Sequence, residues 1–128
     1  MTTVDPYVIT VTVTSASQAK AKKLKGGRYT LDANYHYSFS PDVAFITQAN
    51  TPMLYVLNTT LSVNIVGFFS TDAKSQLGDP VIASDGQSVT VMNANTVPYL
   101  MFAFLLVAPQ SSQDVIYLDP SIICKVPH

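Results

Sequence analysis

The chain has 128 residues, of which 48% are hydrophobic and only 12% charged, with seven basic and eight acidic side chains and a formal net charge of −1. That length suits one ordinary domain able to bury about two-thirds of its unfolded surface, and the charge fraction sits well below the roughly 25% of a soluble domain, which favours association over solvation. Every acidic residue is Asp, with no Glu and no Trp, so the composition argues against helices and excludes the large basic excess of a dedicated nucleic-acid binder.

Met1 to Tyr7 lacks the basic segment and apolar core of a signal peptide. Tyr7 to Thr14 alternates apolar and hydroxyl residues with period two, which predicts a half-buried strand with Ile9, Val11 and Val13 inward and Val8 on the Thr face. Ser15 to Lys25 is the only plausible helix, and it lacks an apolar stripe. Lys20, Lys22, Lys23, Lys25 and Arg28 place five of the seven basic residues within nine positions. A run of this kind is usually a solvated loop or short helix. Its functional readings are a basic arm for nucleic acid or another anionic surface, and head-to-tail packing against an acidic face of a neighbouring copy.

Gly26-Gly27 punctuates, and Arg28 to Asp32 and Tyr35 to Phe39 read as short strands. Tyr35, His36 and Tyr37 form the constellation best suited to a ligand, because sugar sites set aromatic faces beside orienting polar groups. Alternation, however, puts Tyr35 and Tyr37 on one face and His36 on the other, so burial of the two tyrosines in a core is the simpler expectation. Pro41-Asp42 begins a turn.

Val43 to Thr47, Met53 to Leu57 and Leu61 to Phe69 are three further strands, with a bulge expected at Gly67. Asn58-Thr59-Thr60, between the second and third, also matches a glycosylation sequon. A polar loop runs from Ser70 to Asp79, and Pro80 to Ala83 forms a hairpin with Gln87 to Met92 around the Ser84-Asp85-Gly86 turn. Asp72, Asp79 and Asp85 with Asn93 and Asn95 could bind a calcium ion or sugar hydroxyls, although Asp in turns more commonly accepts bonds from backbone N–H groups. Tyr99 to Val107 and Val115 to Val126 then read as a terminal hairpin, its second strand interrupted at Asp119-Pro120 where a bulge or sheet switch is expected.

About nine to eleven short strands at 8–12-residue spacing, with no βαβ rhythm, indicate a single all-β domain over 1–128, an antiparallel sandwich or barrel, and the β-sandwich is the expectation. Two histidines and one cysteine spread along the chain supply neither a transition-metal cluster nor a nucleophile with its base, and no phosphate loop or calcium loop occurs. The expectation is therefore a protein that is not an enzyme and uses no cofactor and no metal. Cys124 lies in an apolar strand and reads as a buried, inert thiol. The longest apolar run, Tyr99 to Pro109, is far short of the roughly 20 residues of a membrane span, so a cytoplasmic protein is expected.

The terminal segment, Tyr99, Met101, Phe102 and Phe104 followed by Tyr117-Leu118-Asp119-Pro120-Ser121-Ile122-Ile123, resembles the end of the AidA/PixA family of bacterial inclusion-body proteins. In that family an aromatic-alternating strand, a short turn and a Trp-Asp-Pro-x-Ile stretch close the chain; here Leu118 stands in place of the Trp and Met101 in place of an aromatic residue. The family's Asn-Pro-rich segment after the first strand is replaced by Lys20 to Arg28. The resemblance covers the last quarter of the chain. It implies a bacterial β-sandwich made in the cytoplasm, sometimes accumulated as inclusions, with no known enzymatic activity and no established catalytic residues to carry over.

These readings converge on a non-enzymatic, self-associating structural or interaction protein, a homo-oligomer. One alternative is a carbohydrate- or ligand-binding module using Tyr35, His36, Tyr37, Asp79 and Asp85, with a glycan as partner. The other is a viral or phage coat or appendage subunit, in which the basic segment could meet nucleic acid.

Overall fold

The computed structural model describes residues 4–30, 34–109, 116–118 and 121–125. The alternating strand at the N-terminus forms as its pattern requires: β1 (Tyr7–Ser15) turns Ile9, Val11 and Val13 into the core and Val8 outward with the threonines. Ser15 ends the strand and caps α1 (Ala16–Ala21), its Oγ accepting the Gln18 N–H at 3.2 Å. Only Ala16 and Ala19 of this helix are buried. Beyond Ala21 nothing apolar anchors the turn, and the helix stops short of the predicted Lys25, with Lys23 in the left-handed region at φ 52°.

Eleven strands build two sheets among the described residues. The first runs in the order β2 (Arg28–Tyr29), β3 (Tyr35–Ser40), β1, β5 (Thr51–Asn58), β8 (Ser88–Asn93) and β7 (Val81–Ile82). The second contains β4 (Val43–Ile46), β6 (Val63–Ser70), β9 (Tyr99–Pro109), β10 (Ile116–Leu118) and β11 (Ser121–Cys124), in which β9 pairs with β6, β10 and β11, and β4 lies beyond β11. The two sheets pack as the sandwich that the strand density predicted.

The sheets are mixed rather than wholly antiparallel, which corrects the sequence expectation: β1 pairs with β5 in parallel, and β4 with β11 likewise. The cause is a detour. After β3 the chain crosses to the second sheet to make β4, then returns, so β5 enters the first sheet running the same way as β1.

Gly67 does mark a bulge. Ile65 sits opposite Val107 and Gly67 opposite Leu106, so Val66 is the extra residue and Phe68 returns to the core. No such shift separates β10 from β11: Ile116 faces Val107 and Cys124 faces Tyr99 in one continuous register along β9. Asp119 and Pro120, where a bulge was expected, lie outside the described residues.

The core lies between the inner faces, with Ile9, Val11, Met53, Tyr55 and Val91 from the first sheet meeting Ile46, Met101, Leu105, Val107 and Ile122 from the second. Tyr55 packs its ring 5.4 Å from that of Phe68, and its hydroxyl is buried without a hydrogen-bond partner. A polar seam stitches the sheets at one end. Asn95, just beyond β8 with φ 51°, reaches the Ile46, Gln48 and Lys125 carbonyls at 3.1, 3.2 and 2.6 Å through Nδ2. Asn93 on β8 donates to the Cys124 Sγ at 3.2 Å and accepts the Asn95 N–H at 2.9 Å.

Two stability measurements check this arrangement. Truncating Asn95→Ala takes the side-chain donor from the Lys125 carbonyl and a second donor from the Ile46 and Gln48 carbonyls, which keep the Lys125 N–H and the Thr51 hydroxyl, and is expected to cost roughly 1–3 kcal/mol in urea unfolding, a loss that Asn95→Gly, which suits the positive φ, does not recover. For Tyr55, burial, with a smaller push from Tyr7, raises the phenol above its ordinary 10.0. The folded state therefore holds it neutral while the unfolded chain ionises near that value, so its contribution is complete below pH 10.0 and declines above it. Tyr55→Phe removes an unsatisfied hydroxyl and is expected to be within about 1 kcal/mol of the parent at neutral pH, with a shallower alkaline decline. An unchanged decline would assign the titration to other groups.

Candidate functional site

The pleat of β9 sorts an almost unbroken apolar run into two sets. Met101, Ala103, Leu105 and Val107 point into the core and are fully buried, which leaves Leu100, Phe102 and Phe104 on the outer face. Strand pairing brings more apolar groups to the same face. Phe69 of β6 lies directly opposite Phe104, and the bulge turns Val66 outward nearby. On the other side Ile123 of β11 faces Leu100, and Phe45 of β4 faces Ile123.

Phe45, Val66, Phe69, Leu100, Phe102 and Phe104 are each between 40% and 61% exposed, so the outer face of the second sheet is an open aromatic surface. Strands β4, β6, β9 and β11 contain no charged residue. Lys125, immediately after β11, lays its Nζ 5.1 Å from the Phe45 ring centroid. The outer face of the first sheet is mixed and, among the described residues, lacks exposed phenylalanine: Thr10, Thr12 and Thr14 on β1 and Thr90 on β8 stand among Val8, Leu54, Val56 and Met92. The signal for the aromatic face was present in the sequence as the double apolar phase of Tyr99 to Val107, but the partners from β4, β6 and β11 depend on long-range pairing.

The basic segment occupies α1, the following turn and β2, with Lys20, Lys22, Lys23, Lys25 and Arg28 all exposed. It is pinned rather than loose. The Leu24 N–H donates to the Ala19 carbonyl at 3.1 Å, and His36 Nε2 bonds the Gly26 carbonyl at 3.0 Å. The Tyr29 ring meets the His36 ring edge-on at 4.9 Å, and Lys20 Nζ sits 5.8 Å from the Tyr29 ring centroid.

Tyr35, His36 and Tyr37 are adjacent on β3 but do not share a face. Tyr37 is buried in the core, Tyr35 packs against the core's margin, and His36 is buried on the other side beneath residues 26–29. A cleft of about 250 Å³ is lined by Tyr37 with Arg28, Phe39 and Asp42, and neither Tyr35 nor His36 reaches it. Asp79 and Asp85 are exposed beside β7, at the opposite edge of the six-stranded sheet from β2 and β3. Asp85 accepts the Gln87 N–H at 3.0 Å across its turn.

Asp72 is pushed up by partial burial but held, on balance, below the usual carboxylate range by the backbone N–H groups of Leu77, Gln76 and Lys74. Asn93 and Asn95, grouped with the aspartates by sequence, are fully buried in the seam between the sheets. Among the described residues no cluster of three or more His, Cys, Asp or Glu is placed to hold a metal ion, and no helix is long and apolar enough to cross a membrane. The Cys124 thiol is pushed up by burial, opposed by the Asn93 amide.

No protein-family model matches the chain, and no curated protein does. Among solved structures, an inclusion body protein, PixA, from Burkholderia cenocepacia J2315 is similar at 6% sequence identity, covering 96% of each chain with a TM-score of 0.28. This similarity spans the whole length rather than the terminal segment alone.

The pinning of the basic segment is testable at its glycines. A Cβ on Gly27, at φ +71°, would fall 2.6 Å from the His36 ring and from the Tyr37 carbonyl, whereas one on Gly26, at φ +76°, meets nothing within 4 Å. Both substitutions to Ala carry left-handed strain, so Gly27→Ala is expected to lose roughly 1–3 kcal/mol more than Gly26→Ala in urea unfolding. Equal losses would show that the His36 contact is not what holds the segment.

Proposed function

We propose that this protein is a non-enzymatic, self-associating structural protein whose copies meet through the outer face of the second sheet. The observation that carries this reading is the aromatic surface of Phe45, Val66, Phe69, Leu100, Phe102 and Phe104. A strand apolar in both phases is the pattern of one covered on both faces, and β9 is covered on one. At about 200 Å² for a fully exposed large side chain, six residues near half exposure present about 600 Å². That reaches the upper end of the largest patch on an ordinary monomer, about 300–600 Å², and approaches the ~800 Å² that each partner contributes to a stable interface.

A second copy is the fitting occupant because the four strands carry no charge. A two-fold interface sets each patch against itself, which a charged surface resists and an apolar one does not. In support of the non-enzymatic reading, His36, the best candidate base in the sequence, is buried with Nε2 engaged by the Gly26 carbonyl.

Sedimentation velocity over a wide concentration range tests the proposal. The parent is expected to sediment as a dimer or larger, and Phe102→Ser combined with Phe104→Ser to weaken association about 100-fold or more while keeping the parent circular dichroism spectrum. A parent that stays monomeric throughout, or a double variant that associates as the parent does, would remove this reading.

A further inference from the structure

The six-stranded sheet ends in two unlike edges. At the β2 edge stand Lys20, Lys22, Lys23, Lys25 and Arg28, with Leu24 and Tyr29 exposed among them. The sequence holds no carboxylate between Asp5 and Asp32, so no near neighbour along the chain offsets the four lysines, while Arg28 lines a cleft that Asp42 shares. At the far edge, β7 and the segment leading into it carry Asp79 and Asp85, with Val81 and Ile82 exposed beside them and Lys74 the one cation between Asp72 and Asp85. Residues 77–82 follow β8 as an edge: Leu77 bridges to Asn93, the Gly78 N–H donates to the Met92 carbonyl, and Val81 and Ile82 pair with Thr90 and Val89.

We propose that copies of this chain join head to tail, the basic β2 edge of one against the acidic β7 edge of the next. The proposal rests on the self-association reading but uses a second, separate surface. Charge complementarity selects the partner: a second copy presents exposed Asp79 and Asp85 at its far edge, and outside residues 20–28 the sequence holds eight Asp against Lys74 and Lys125. Each edge also brings apolar side chains, Leu24 and Tyr29 on one and Val81 and Ile82 on the other, to exclude water from the charges.

The bonds at Leu24 and Gly26 hold the backbone of the basic turn in one conformation, which lowers the entropic cost of docking. Because β2 and β7 are two residues each, a shared ladder contributes few hydrogen bonds, and the contact depends on charge. Salt should therefore dissolve it, since screening at about 0.1 M already acts over ~10 Å. An interface between two different edges extends into a ring or filament instead of closing as a dimer.

The test is sedimentation of the full chain at low and high sodium chloride, with two charge reversals. Lys22→Asp, Lys23→Asp and Lys25→Asp invert the basic edge, and Asp79→Lys with Asp85→Lys inverts the acidic one; Asp79→Lys alone serves if loss of the Asp85 turn bond impairs folding. The parent is expected to form species larger than a dimer at low salt that revert at high salt. Each reversal should weaken that growth tenfold or more, and mixing the two reversed proteins in equal amounts should yield a salt-sensitive mixed complex that grows again, since every edge then meets one of opposite charge. Absence of that complex, or growth indifferent to salt and to both reversals, overturns the proposal. So does a DNA oligonucleotide that binds the basic edge while assembly ignores the reversals, since the segment then serves a polyanion. A salt-independent dimer would end the head-to-tail contact and leave the aromatic-face reading intact, whereas a monomer under all conditions would end both.

Discussion

The pleat of β9 is the constraint on which the exposed aromatic surface depends. Successive residues of a strand must point to opposite faces, so a strand can hide all its side chains only if both faces of its sheet are covered. In β1 this rule is obeyed cheaply, because every residue alternate to Ile9, Val11 and Val13 is a threonine, apart from Val8. In β9 both sets are apolar, and the set that misses the core includes Phe102 and Phe104. At about 25 cal/mol per Å², withdrawing even half of such a patch from water is worth several kcal/mol before the costs of association are counted.

The polar seam makes the aromatic face a surface of four strands instead of one. Asn95 leaves the first sheet and binds carbonyls of Ile46, at the end of β4, and Lys125, just after β11, so one amide holds the parallel β4–β11 pair against the core. That pair carries Phe45 and Ile123 to their places beside Leu100. The bulge at Val66 does comparable work on the other side, because without the extra residue Phe68 and Phe69 would exchange faces. A buried amide and one surplus residue thus set the two margins of the exposed patch.

What could be read from the sequence was local. The period-two alternation of β1, the bulge at Gly67, the β7–β8 hairpin around Asp85-Gly86 and the short helix α1 all follow from neighbours in the chain. The parallel pairs could not be read, because they result from the excursion through β4, which no local pattern records. Asn93 and Asn95 looked like loop ligands, yet the acceptors of the Asn95 amide are backbone carbonyls at Ile46, Gln48 and Lys125, where residue type is no guide. The placement of His36 was hidden for the same reason: its partner is the Gly26 carbonyl, and only the alternation that separates it from Tyr35 and Tyr37 was visible.

The low charge content and its uneven distribution have one structural consequence. A net charge of −1 gives no long-range repulsion between copies, so short-range surfaces decide whether and how they meet. Those surfaces differ in physics as well as position. The aromatic face is apolar, can match itself across a two-fold axis and is indifferent to screening. The β2 and β7 edges are charged, cannot match themselves, and need a partner turned the same way round. An apolar face alone has little to choose between registers, since one aromatic side chain packs against another in several offsets. A charged edge held in place by the His36 and Leu24 bonds supplies direction, because like edges repel and only unlike ones can approach.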